Sequence, residues 1–127
     1  MPPDTGQGLI LNWHLDETSG LVIADSSGNN NNGTANGTTI VAGKFGNARN
    51  FNGTSDYVAS NTNTGITGSS PFTISAWFKY GGAPTDWGPI TSIGHQGFSS
   101  KDFFAITSKP EAGNRNMGLN FDDGSLN

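Results

Sequence analysis

Cysteine is absent from this 127-residue chain. That excludes disulfides, cysteine-ligated zinc and thiol nucleophiles. Charge is also scarce: 13% of residues are charged, against roughly 25% in an average globular domain. The net charge is −4, and the six basic residues, Lys44, Arg49, Lys79, Lys101, Lys109 and Arg115, are scattered. No basic stripe is available to neutralise phosphates, which argues against nucleic-acid binding. No apolar run approaches the ~20 residues that span a bilayer as a helix, so membrane insertion is not expected. Met1-Pro2-Pro3-Asp4 offers neither a charged n-region nor an apolar h-region. Runs of Ala, Leu, Glu, Lys and Arg, which long helices need, are missing too.

What is present points to strands and turns. Nineteen glycines accompany many Asn, Thr and Ser, together with eight Phe, three Trp and two Tyr. The aromatic residues fall in alternating runs that can fill a core, which separates the chain from a disordered Gly/Asn/Ser tract. In Leu9–Leu15 the residues Leu9, Leu11, Trp13 and Leu15 share one face. In Phe72–Tyr80 the set Phe72, Ile74, Ala76, Phe78 and Tyr80 does the same, opposite Thr73, Ser75, Trp77 and Lys79. Shorter alternating runs lie at 56–59, 89–93, 102–107 and 117–121. Turn signals separate them: Ser27-Gly28, Asn32-Gly33, Asn36-Gly37, Gly81-Gly82 and Asp123-Gly124. Short strands at this spacing predict an all-β sandwich, and Asn29–Asn32 reads as loop. No linker divides the chain. Residues 1–8 read as an N-terminal extension and 9–127 as one domain.

Five ordered motifs run through the first part of the chain. They are Leu11-Asn12-Trp13-His14-Leu15-Asp16-Glu17-Thr18-Ser19-Gly20, then Ala24-Asp25-Ser26-Ser27-Gly28-Asn29 with Gly33-Thr34, and Gly43-Lys44-Phe45-Gly46-Asn47-Ala48. Phe51-Asn52-Gly53-Thr54-Ser55-Asp56-Tyr57-Val58 and Phe72-Thr73-Ile74-Ser75-Ala76-Trp77-Phe78-Lys79 follow. Their order and spacing, from about Leu9 to Lys79, resemble the LamG-like jelly-roll domains of the concanavalin A-like lectin/glucanase superfamily. The resemblance implies an antiparallel jelly-roll sandwich, with Phe72–Phe78 as a central core strand. Complete relatives continue for several more strands and close with an acidic pair before an Arg-aromatic strand. Nothing of that kind follows Asn120, so the expectation is a module lacking its C-terminal strands. Its open sheet edges would invite other copies or a complementing chain.

For chemistry, the loop Asp25–Gly33 stands out. Calcium takes six to eight oxygens, many of them carbonyls, and this loop offers Asp25, Asn29, Asn30 and main-chain oxygens held by glycine turns. The resemblance implies a structural calcium near this turn, with Asp25 as the anionic ligand and Asn30 and the Gly33 carbonyl assisting. One carboxylate would give weak affinity, on the order of 10⁻⁴ to 10⁻³ M. The plainer reading is a turn capped by Asp25. Asp56, before Tyr57, reads first as a solvated surface acid, and otherwise as a support for the loop or the metal. His14 and His95 are the only histidines, and no spacing joins them to a Ser and an acid as a triad.

Glycoside hydrolysis needs two carboxylates about 5–10 Å apart. The Glu-x-Asp-x-x-Glu strand motif of the glucanase relatives is absent, and only Glu17 and Glu111 exist, both in turns or loops by sequence. No catalytic residue is therefore assigned. A sugar site combines an aromatic platform with polar groups. Trp87 with Asp86, in the loop Gly81–Gly88, is the leading candidate, whereas Trp77, on the face opposite Phe72 and Ile74, is expected to be buried under a neighbouring layer rather than to line a concave surface. Three Asn-Gly-Thr tripeptides, at Asn32, Asn36 and Asn52, match the N-glycosylation sequon, though turn chemistry explains them equally. The expectation is a non-catalytic, extracellular or cell-surface recognition module that binds a glycan or another surface component. The alternative is a structural spacer, adhesin or self-assembling subunit without a small ligand. A glycoside hydrolase comes last.

Overall fold

The computed structural model describes residues 8–60, 62, 65–66, 71–79, 81, 88–93, 103–111 and 114–122. The chain divides into two compact units, Met1–Gly65 and Ile66–Asn127. Among the described residues every regular element is a strand, and all strand pairs are antiparallel. No helix of the described residues is long and apolar enough to cross a membrane.

The first unit contains β1 (Val22–Ile23), β2 (Gly33–Asn36), β3 (Thr39–Ala42), β4 (Asn47–Asn50) and β5 (Tyr57–Ser60). One sheet has the order β1-β2-β5, with Ile23 opposite Gly33, and Gly33 and Ala35 opposite Ser60 and Val58. The period-2 pleat places Gly33 and Ala35 on the buried face, leaving Thr34 and Asn36 half-exposed. Ile23 and Ala35 are fully buried and form the centre of the core. β2 uses small residues because Trp13 lies against it. A Cβ added at Gly33 would fall 2.7 Å from Trp13 Cζ2 and 3.1 Å from the Ala59 carbonyl.

The second sheet of this unit is the β3-β4 hairpin, registered from Thr39↔Asn50 to Ala42↔Asn47. The Gly43 N–H donates to the Gly46 carbonyl at 2.8 Å to close its loop. β4 also carries a clamp. Arg49 is buried, and its Nη2 donates to the Gly20 carbonyl (3.0 Å) and to Glu17 Oε2 (3.4 Å). Glu17 Oε1 accepts the Ala24 N–H, and Asn47 Nδ2 donates to the Glu17 carbonyl. The turn 16–24 is thereby tied to the hairpin.

The second unit contains β6 (Gly88–Ile93), β7 (Phe103–Glu111) and β8 (Asn114–Asp122), in the order β6-β7-β8. β7 and β8 pair over nine positions from Phe103↔Asp122 to Glu111↔Asn114. The register between β6 and β7 shifts between Pro89 and Thr91. Proline has no N–H to give to a ladder, which is why it sits at such irregularities.

Three strand expectations hold with adjusted limits: 56–59 becomes β5, 89–93 becomes β6 and 117–121 becomes part of β8. The run at 102–107 extends to Glu111 as β7. Two others do not form strands. Leu9–Leu15 makes a single bridge, Trp13 to Asp25, and Leu15 adopts φ 60°, which ends the extended course. Its carbonyls are occupied mostly by side chains, although the Asn12 carbonyl also accepts the Ser26 N–H at 2.9 Å. Asn29 Nδ2 donates to Leu9 O (2.8 Å), Asn31 Nδ2 to Ile10 O (2.7 Å) and Ser26 Oγ to Asn12 O (3.0 Å). Residues 71–79 of the expected core strand Phe72–Phe78 are likewise irregular, and Trp77 is 94% exposed and Phe78 45%. Alternation selects a face, but a strand also needs a partner for its main chain. No described strand pairs with 71–79. Tyr80 lies outside the described residues.

Candidate functional site

Asp25 stands at the centre of the first unit's loops. It is drawn there by the Asp-Ser-Ser-Gly turn, in which Gly28 takes φ 92° and Asn30 φ 58°, conformations that Gly and Asn tolerate best. Oδ1 of Asp25 accepts the N–H groups of Asn12 and Ser27, each at 2.9 Å. Oδ2 accepts the Ser27 hydroxyl at 2.7 Å and the Asn31 N–H at 2.9 Å. The Asp25 N–H itself donates to Asn32 Oδ1 at 2.9 Å. Burial raises the carboxyl pKa, but the bonds from Asn12, Ser27 and Asn31 outweigh it. The value is held at about 2, below the ordinary 3.8.

Around this carboxylate the remaining polar groups are mutually engaged. Trp13 Nε1 donates to the Asn31 carbonyl at 3.0 Å, and Thr62 Oγ1 donates to Asn31 Oδ1 at 2.6 Å. Asn29, expected to offer oxygen to a cation, instead turns its nitrogen to the Leu9 and Ile10 carbonyls. Asn30 supplies the left-handed turn residue and is exposed. Gly33 is built into β2 against Trp13.

A calcium ion does not fit this donor set as arranged. It needs free oxygen lone pairs, and each oxygen of Asp25 already receives two protein donors. The arrangement is that of a capped loop. Among the described residues, no three of His, Cys, Asp and Glu gather as a metal site.

The second polar centre is the β4–β5 connection. The Asn52 Oδ1 accepts the N–H groups of Thr54 (2.8 Å), Ser55 (2.9 Å) and Asp56 (3.2 Å). Asp56 Oδ2 accepts the Asn52 N–H at 2.9 Å, and Gly37 packs directly against Asp56 Oδ1. Asp56 is thus a loop brace rather than a solvated acid. The turn at Phe51–Thr54 leads into β5, and β4 and β5 belong to different sheets. The loop carries the chain between them.

Other candidates stand apart. His14 is exposed, with Nδ1 4.0 Å from Asp16 Oδ2 and Nε2 3.4 Å from Asn12 Nδ2. Glu17 is committed to Arg49 and the Ala24 N–H. Glu111 ends β7 opposite Asn114. His95, Asp86 and Trp87 lie outside the described residues. Sequence reasoning missed the Glu17–Arg49 pair, because no pattern links residues thirty-two apart. It also missed Asn31 and Ser27 as the partners of Asp25. Compared with family models, curated proteins and solved structures, the chain matches none.

Proposed function

We propose that this chain is a non-catalytic recognition module of the cell surface or extracellular space, folded as a LamG-like, concanavalin A-like jelly-roll sandwich, that binds a glycan or another surface component. The observation that carries this reading is Trp77. It is 94% exposed, beside exposed Phe78 and within reach along the chain of the polar Thr73, Ser75 and Lys79. An open indole face stacks on the C–H face of a sugar ring, and neighbouring polar groups set orientation. The first unit supports the same reading. Among its described acids, Asp25, Asp56 and Glu17 each brace a loop or turn. Trp87 and Asp86 are the further candidate contacts.

The test is affinity electrophoresis or a glycan array with the wild-type chain and the Trp77→Ala and Trp87→Ala variants. Binding lost in either variant, with unfolding midpoints unchanged, is the expected result. An array with no ligand above background would overturn the recognition reading. The second reading, a self-assembling subunit, is favoured by the strand-like alternation of Thr73–Lys79 without a strand partner among the described residues. A concentration-dependent mass in solution, abolished by Ile74→Lys, would select it.

A further inference from the structure

Three copies of one tripeptide, Asn32-Gly33-Thr34, Asn36-Gly37-Thr38 and Asn52-Gly53-Thr54, sit in three different environments. We propose that Asn52 is a self-modification site, where the folded chain promotes succinimide formation and deamidation while protecting Asn32 and Asn36. In this reaction the main-chain nitrogen of the following glycine gives up its proton and attacks the Asn Cγ. Charge collects on Oδ1, the Cγ–Nδ2 bond breaks, and Nδ2 leaves with a proton as ammonia. Water then opens the five-membered imide at either carbonyl, giving aspartate or isoaspartate.

At Asn52 the fold supplies what this sequence of steps needs. Oδ1 already accepts three main-chain N–H groups, at 2.8, 2.9 and 3.2 Å. That cradle stabilises charge on the same oxygen, as an oxyanion hole does. The leaving nitrogen, Nδ2, donates to the Ser55 hydroxyl at 3.0 Å. Gly53 lies outside the strands, at φ 75°, with nothing within 4 Å of where a Cβ would stand. The nucleophile therefore belongs to no strand ladder, and the exposure of Gly53 lets water reach the imide. Asn52 is also exposed.

The other two copies lack these features. Gly33 is buried in β2 between Ile23 and Ser60, under the Trp13 ring, and Asn32 Oδ1 accepts the Asp25 N–H. Asn36 is a β2 residue opposite Tyr57, and Gly37 is wedged on the Asp56 carboxylate. Closing a five-membered ring at either would pull a strand out of register. Conversion at Asn52 puts a second carboxylate beside Asp56, whose Oδ2 accepts the residue 52 N–H. The isoaspartate product also lengthens the main chain by one carbon just ahead of β5.

The experiment is incubation of the folded chain at mildly alkaline pH and 37 °C, with peptide mapping over days. A parallel sample is kept unfolded in urea. The shared tripeptide makes the three asparagines internal controls for one another. In urea the three should convert at similar rates. In the folded chain Asn52 should outpace Asn32 and Asn36 by about tenfold or more, and be at least as fast as in urea. Equal rates at the three positions in the folded sample would overturn the proposal. So would a folded-state Asn52 rate below its rate in urea, since the donor cradle would then be protective.

Discussion

Replacing Asp25 by Asn tests whether one carboxylate organises the first unit. The carboxylate receives four donors, from Asn12, Ser27 (main chain and hydroxyl) and Asn31, all at 2.7–2.9 Å. An amide of the same shape keeps one acceptor oxygen and presents an NH₂ where the other stood. Whichever way it is turned, at least one main-chain N–H loses its partner, at a cost of about 1–3 kcal/mol. The lowered pKa is a second measure of these same hydrogen bonds, not an addition to them. A carboxyl lowered from 3.8 to about 2 is worth about 2 kcal/mol of folding stability, which partial exposure trims to between about 1 and 2.

The substitution should therefore cost about 1–3 kcal/mol, or about 0.5–1.5 M in urea midpoint for a chain of this size. Trp13 is the natural reporter, because its Nε1 donates to the Asn31 carbonyl beside the carboxylate. Its fluorescence can be isolated in a Trp77→Phe, Trp87→Phe background. The pH arm has a definite sign. The folded-state pKa is depressed, so the contribution is complete above pH about 4 and is lost as pH falls through about 2. The difference between wild type and Asp25→Asn should therefore shrink across that window. A variant within about 0.5 kcal/mol of wild type at pH 7 would refute the reasoning, as would a difference that does not change below pH 4.

The other predictions are independent of this one. Gly33→Ala should destabilise by about 1–3 kcal/mol, since the new methyl meets Trp13 and the Ala59 carbonyl; chemical denaturation monitored by circular dichroism measures it. Glu17→Ala should cost about 2 kcal/mol or more, because it strips the charge partner from Arg49, whose side chain is 2% exposed, and the acceptor from the Ala24 N–H. A Glu17→Ala midpoint equal to wild type would mean that the pair contributes nothing. Excess calcium should leave the unfolding midpoint where a chelator leaves it, since the Asp25 oxygens are taken. A calcium-induced rise would show that the loop rearranges to free them, because a ligand at a hundred times its Kd adds about 2.7 kcal/mol.

The pattern-rich segments show where sequence reading works and where it stops. The runs that became β5 through β8 were legible because β-branched and aromatic residues alternate between turn signals. β2 and β4 were not, because Gly33-Thr34-Ala35-Asn36 and Asn47-Ala48-Arg49-Asn50 have no strand composition. Their extended form is imposed by pairing with Tyr57–Ser60 and Thr39–Ala42. The reverse error occurred at Leu9–Leu15 and within 73–78, whose alternation is sound but which belong to no strand pair among the described residues.

The turn at Asp25 was recognisable as a capped turn, since Asp followed by Ser-Ser-Gly has few other uses. Which groups fill its lone pairs was not, because Asn12 and Asn31 reach it only once β1 has paired with β2. By itself the sequence determined the all-β class, the turn positions and the want of an acid pair on a strand, because these follow from local stereochemistry and composition. The tertiary structure alone decided that Asp25 is saturated by protein donors, that Glu17 belongs to Arg49 and that three identical Asn-Gly-Thr tripeptides differ. Hydrogen-bond partners and burial depend on which distant segments meet, and no local pattern encodes that.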